Sequence, residues 1–174
     1  MFTKILVATD GSDQGTKAVD VAADLAVKYD AELVIGHVLL HGEPPSAFRR
    51  MAEVEHLVNP PKVQKPDSKN TVGGLIGIAT QAEQNRISHD IIVALGDRVI
   101  EVAEASVADK GVSNYSSQIV EGDAANQVLK LADEVDADLI VIGTRGFGPI
   151  KSMLMGSVSH KVTQHAECAC MTVK

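Results

Sequence analysis

The feature that most constrains this chain is the apolar run Asp138-Leu-Ile-Val-Ile142 leading straight into Gly143-Thr144-Arg145-Gly146. Residues 139–142 are apolar without alternation, which is the pattern of a strand buried on both faces of a parallel sheet. Nine intervening residues then lead to Gly156-Ser157, and Ser157 to Ala166 reads as a helix. Strand, glycine loop and helix start together suit a phosphate, because glycines let the backbone approach an anion and the first amides of a helix have no internal partner. Ser157 is expected to cap that helix and to offer a hydroxyl. Glycines also make plain tight turns, but three of them with a serine at a helix start favour an anion site.

The rest of the chain repeats the same alternation. Ile5 to Ala8 is a short apolar strand, and Thr9-Asp10-Gly11-Ser12 is its exit turn. Ala18, Val21, Ala22, Leu25 and Ala26 follow at helical spacing. Leu33 to Leu40 is a second strand, so the β–α–β order predicts a right-handed crossover in a parallel sheet. Residues 41–70 change character, with Pro44-Pro45, Pro60-Pro61 and Pro66 punctuating a polar stretch, and open an insertion that runs to about residue 87. The insertion is too short for its own core, with a short helix over 46–57 and a Gly-rich segment, 71–79, that is either a flap or a helix start. Helical spacing resumes with Ile91, Ile92, Leu95, Val99, Val102, Ala103 and Val107, and Gly111 is a stop. Tyr115 to Glu121 is a more polar strand, as an edge would be. Asp123 can cap a helix carrying Val128, Leu131, Ala132 and Val135, and Cys170 to Val173 is a final strand. The expectation is one α/β domain over residues 1–174, doubly wound, with five parallel strands flanked by four helices.

Composition narrows the function classes. Hydrophobic residues make up 45% of the chain and aromatic ones 3%, so the core is aliphatic, as parallel sheets prefer. A net charge of −7 speaks against a general nucleic-acid or anionic-membrane surface, and any phosphate site must work through local backbone donors. The apolar runs are far short of a membrane span, and the N-terminus enters a strand with no sign of a signal peptide. Two cysteines, one residue apart, make no disulfide framework and suggest a reducing cytoplasm.

The spacing Gly-x2-Gly-x9-Gly-Ser resembles the phosphate loop of the ATP-binding branch of the universal stress protein family. Other landmarks resemble that family too: Lys4-Ile-Leu-Val-Ala-Thr-Asp-Gly-Ser12, Glu32-Leu-Val-Ile-Gly-His-Val38, Val120-Glu-Gly-Asp123, Ala137-Asp-Leu-Ile-Val-Ile-Gly143 and Leu154-Met-Gly-Ser-Val158. The stretch from about residue 40 to 87 does not match closely. The resemblance implies strand order 3-2-1-4-5 and a site where that order reverses, between strands 1 and 4. It implies ATP, with Mg²⁺ brought by the nucleotide, a role in stress response, and a homodimer paired through the last strand.

The site would then set Ala8, Thr9 and Asp10 opposite Gly143, Gly146, Gly156 and Ser157. Asp10 either holds ribose hydroxyls or Mg²⁺, or merely caps the first helix. The resemblance gives Val38 the adenine edge through its backbone, with Ile142 and Val158 lining the same pocket. Arg145 either reaches phosphate with its fork of donors or is a solvated loop charge. Lys151 is not a P-loop lysine, since Gly-x4-Gly-Lys-[Ser/Thr] is absent. Ile150, Met153 and Leu154, in the same spacer, have the spacing of packing residues. The tail His160-x4-His165-x2-Cys168-x-Cys170 suggests a metal, but two histidines five apart on a helix diverge by roughly 140°, and the cysteines suit small hydrophobes. His37 is expected to be a packed or hydrogen-bonded strand residue.

Three functions compete. The first is a small regulatory module that holds ATP in a stress response. The second is an enzyme of the adenine-binding α/β group, a slow ATPase or a nucleotidyl transferase. Against it, the Ser-Gly-Gly-x-Asp loop and the His-x-Gly-His motif are absent from the sequence, and no acid/base pair is visible near the glycine loop. The third is an interaction module with no nucleotide, which the intact glycine spacing disfavours.

Overall fold

Five strands, β1 (Lys4–Ala8), β2 (Glu32–Leu39), β3 (Tyr115–Glu121), β4 (Leu139–Gly143) and β5 (Ala169–Val173), form one parallel sheet in the order β3-β2-β1-β4-β5. The computed structural model describes residues 1–39, 73–147 and 155–174, and the side chains of 73–88 are not among those described. Among the described residues four helices accompany the sheet: α1 (Asp13–Tyr29), α2 (Gly73–Asp109), α3 (Ala124–Glu134) and α4 (Ser157–His165). The strand count, order and helix count are those expected. Chain contacts define two compact units, Met1–His41 with Gly96–Lys174, and Gly42–Leu95. The sheet and its core lie in the first. The second includes the N-terminal part of α2, which begins at Gly73, inside the stretch assigned to the insertion. The short helix expected over 46–57 lies outside the described residues, as does the loop spacer 148–154 with Ile150, Lys151, Met153 and Leu154.

Alternation along the central strand builds the two faces. Ile5 and Val7 point to one side, where Ala18, Ala22 and Ala26 of α1 and Ile100, Ala103 and Val107 of α2 cover them. Leu6 and Ala8 point to the other, against Val128 and Leu131 of α3 and Val162 of α4. Both faces are therefore dry, which explains the unbroken apolar runs of β1 and β4. Two details of the periodicity differ. On α1 the buried face turns toward Val19 and Ala23, leaving Val21 and Leu25 half-buried. On α2, Val102 faces out, 46% exposed, and Ile100 takes its place in the core.

Helix ends follow local chemistry. Ser12 caps α1 by accepting the Gly15 amide at 3.2 Å, with Asp13 in the first turn and Lys28 in the last to suit the dipole. Asp30, at φ 55, closes that helix in the left-handed region. Asp123 caps α3 by accepting the Asn126 amide at 3.0 Å, as its position suggested. Gly111, at φ +83, follows the end of α2. The polar β3 and the C-terminal β5 are the two sheet edges. No helix among the described residues is long and apolar enough to cross a membrane.

Candidate functional site

At the carboxyl ends of the strands, register brings three exits side by side: Ala8 pairs with Gly36 on β2 and with Ile142 on β4. The chain leaving β1 is then fixed in three ways. The Thr9 amide donates to the Gly36 carbonyl at 3.0 Å, Thr9 Oγ1 accepts the Gly11 amide at 3.2 Å, and Asp10 Oδ1 accepts the Ser12 amide at 3.0 Å. The last is an Asx turn. Asp10 thus does not cap α1, which is the work of Ser12. Its second oxygen faces the glycine loop, and a Cβ added to Gly146 would fall on Asp10 Oδ2.

The loop itself begins at Gly143, the last residue of β4. A Cβ there would lie 3.0 Å from the Gln14 backbone, so the start of α1 passes directly over the strand end. Thr144, 2% exposed, is bonded through every polar atom it has. Its amide donates to the Val173 carbonyl at 2.7 Å and its hydroxyl to Gln14 Oε1 at 2.9 Å. Its carbonyl accepts the Gly156 amide at 2.7 Å and Ser159 Oγ at 2.9 Å. Arg145, Gly146 and Phe147 are exposed.

The far side of the loop differs from expectation in one respect. The N-cap of α4 is Gly156, and Ser157 is the first helical residue, so Ser157 makes no cap and its side chain is exposed. A glycine at the N-cap has no side chain to accept a helix amide, and Ser159, buried in the first turn, instead ties the helix start to the chain before it by donating to the carbonyls of Thr144 and Gly156 at 2.9 and 3.0 Å. The Gly156 amide is spent on Thr144, so Gly156 contributes room for a ligand and no free donor. Val158 and Val38 are half-buried against the cluster that contains Ala8 and Ile142. Val38 sits at the end of β2, paired with Val120.

His37 is buried beneath this surface and its Nδ1 donates to the Thr9 carbonyl at 2.9 Å. Burial lowers its pKa below the ordinary 6.5, against the opposing pull of that bond and of the Asp10 charge, which favours the neutral ring. At the amino end of β5, Cys168 and Cys170 are free thiols packed on the same cluster as Ala8 and Ile142, and burial raises both pKa values. His160 and His165 are exposed on α4. Among the described residues no three His, Cys, Asp or Glu side chains converge as a metal site.

The donor set suits a nucleotide. The start of α4 carries no side-chain cap, the Asp10 carboxylate lies where a Cβ on Gly146 would stand, and Asp10 offers an acceptor for hydroxyls or a cation. Sequence reasoning missed Gln14, Thr144 and Ser159. Thr144 carried one signal, a polar residue between a fully buried strand and a loop. Gln14 carried none.

Comparison with known proteins gives the family and supports the fold. The sequence profile described as "Universal stress protein family" matches residues 1–174. Universal stress protein YxiE of Bacillus subtilis is 35% identical over 176 residues, covering 100% of both chains. Among solved structures, a universal stress protein in complex with cAMP is similar at TM-score 0.61 and 22% identity, over 99% of this chain and 97% of that one. One from Archaeoglobus fulgidus in complex with dAMP is similar at TM-score 0.58 and 19% identity, over 99% and 98%. At these identities the structural likeness is one of fold.

Proposed function

Because the chain belongs to the universal stress protein family, we propose that it is a small regulatory module that holds an adenine nucleotide, ATP with Mg²⁺, in a stress response. The observation that carries this is the approach of Asp10 to Gly146 where the strand order reverses, the place where open α/β sheets bind ligands. That solved members of the same fold hold cAMP and dAMP supports an adenine ligand.

In this assignment the amides of Ser157 and Val158 and the exposed backbone at Gly146 receive the phosphates, with Arg145 at the solvent side. Gly143 and Gly156 keep the space clear of side chains. Asp10, Thr9 and Ala8 face the ribose and any Mg²⁺, Val38 offers its backbone to adenine, and Ile142 and Val158 form the apolar floor. A cradle of amides binds ground state and transition state about equally, so it gives affinity without rate. The nucleotide therefore serves as a ligand and is not a rapidly consumed substrate. The edge strand β5 pairs with a second copy, and the free thiols fit a reducing cytoplasm.

Denaturing the purified protein and identifying the released small molecules by mass spectrometry tests this. The expected result is an adenine nucleotide near one per chain. Protein that saturably binds no adenine nucleotide, either as purified or on titration, contradicts it.

A further inference from the structure

We propose that Thr144 is a positioning residue that sets the mouth of the glycine loop from behind, without touching ligand. The proposal rests on the nucleotide reading above. Thr144 is 2% exposed, and a hydroxyl buried that deeply is costly unless it is bonded. Here the bond is made to Gln14 Oε1, 2.9 Å away, 130 residues earlier in the chain. The two backbone atoms of the same residue are committed as well, to Val173 of β5 at 2.7 Å and to Gly156 of α4 at 2.7 Å. Thr144 therefore joins β5, α1 and α4 at one point.

Two consequences follow for the loop. The spacer after Gly146 must return to Gly156, and Gly156 is held by the Thr144 carbonyl, so both posts of the loop hang on one residue. Ser159 shares its single hydroxyl proton between the carbonyls of Thr144 and Gly156, at 2.9 and 3.0 Å, which locks the first turn of α4 to the same post. With the Gly156 amide occupied, the next amides of α4 are the ones aimed at the loop. Rotation of Thr144 would release Gly156 and move those amides. Gln14 supplies the restraint against that rotation, because it grips the Thr144 side chain from the first turn of α1.

Calorimetric titration with MgATP and amide exchange of the nucleotide-free protein test this together. Thr144→Val keeps the shape and removes the hydroxyl, and Gln14→Met removes the acceptor from the opposite side. Each is expected to weaken MgATP binding about tenfold, as loss of one well-placed hydrogen bond does. Combined, they should do no more than either alone, because both remove the same bond. Thr144→Ser should restore binding to within about twofold of the parent, since the same bond is remade. In the absence of nucleotide, the Gly156 amide should exchange faster in Thr144→Val than in the parent and in Thr144→Ser. Unchanged affinity in Gln14→Met, a Thr144→Ser variant as weak as Thr144→Val, or an unchanged Gly156 exchange rate would each overturn the proposal. Should Thr144→Val not fold, Gln14→Met decides by the same two readouts. A parent protein that takes up no MgATP contradicts the nucleotide reading instead, and Gly156 exchange then decides the positioning role alone.

Discussion

The carboxylate of Asp10 lies against the backbone of Gly146, so closely that a single Cβ at Gly146 would occupy the place of Asp10 Oδ2. The two residues come from different strand exits, β1 and β4, and meet where the sheet reverses its strand order. Their contact ties the β1 turn to the glycine loop and gives that region both backbone donors and one acidic acceptor.

The charge of Asp10 can be separated from its turn. Asp10→Asn retains an oxygen for the Ser12 amide, so the Asx turn and α1 should persist and the melting temperature should change little. The anionic acceptor is lost. We predict that the gain in ATP affinity produced by Mg²⁺ falls at least severalfold in Asp10→Asn, roughly what a lost charge-assisted contact costs. Equal Mg²⁺ dependence in parent and variant would remove Asp10 from the cation's surroundings.

The pH dependence of stability follows from His37. Burial lowers its pKa from the ordinary 6.5, so the unfolded chain binds more protons than the folded one between the folded value and 6.5. Stability then rises with pH across that window. The contribution is complete above 6.5 and is lost as pH falls through the folded value. His37→Gln keeps a donor for the Thr9 carbonyl and removes the titration. Melting curves recorded at stepwise lower pH should show the parent losing stability faster than His37→Gln. Parallel curves would mean that the ring is not held neutral.

Assembly is expected at β5, a sheet edge whose residue Met171 is 36% exposed. An unpaired edge of this kind is readily completed by an identical strand. Light scattering at micromolar concentration should give a dimer, and a folded variant lacking residues 170–174 should give a monomer. A monomeric parent, or a dimer indifferent to the deletion, speaks against pairing through this strand.

Turnover should be slow. Rapid phosphoryl transfer needs a positioned nucleophile and compensation of developing charge, and among the described residues the carboxylate that meets Gly146 is that of Asp10. ATP hydrolysis is expected orders of magnitude below the roughly 1 per second at the low end of ordinary enzymes. A Mg²⁺-dependent rate near that value, abolished in Asp10→Ala and absent from mock-purified controls, would favour the enzyme reading.

Periodicity made most of the scaffold legible. The unbroken apolar runs of β1 and β4 marked strands covered on both faces, and the polar β3 marked an edge, because burial writes itself directly into residue type. The glycine spacing likewise located the loop. Rotational details were less accessible: Val102 and Ile100 lie two residues apart on α2 and face opposite ways, and which of them enters the core depends on how the helix is turned on the sheet. The helix start at Ser157 was read correctly, but its cap was not, since the cap position falls one residue earlier on Gly156, which has no side chain to offer. Least legible was the Gln14–Thr144 contact, whose partners share no local pattern and meet only through the sheet's topology.

The most direct test of the central claim is calorimetric titration of MgATP into the parent protein and into Gly146→Val. Gly146 is an exposed loop residue, so the variant should keep its circular dichroism spectrum and still melt cooperatively, while the added side chain displaces the Asp10 carboxylate and takes its place. The account predicts saturable binding near one nucleotide per chain in the parent and none in the folded variant. A parent that does not bind, or a folded Gly146→Val that binds as tightly as the parent, would contradict it.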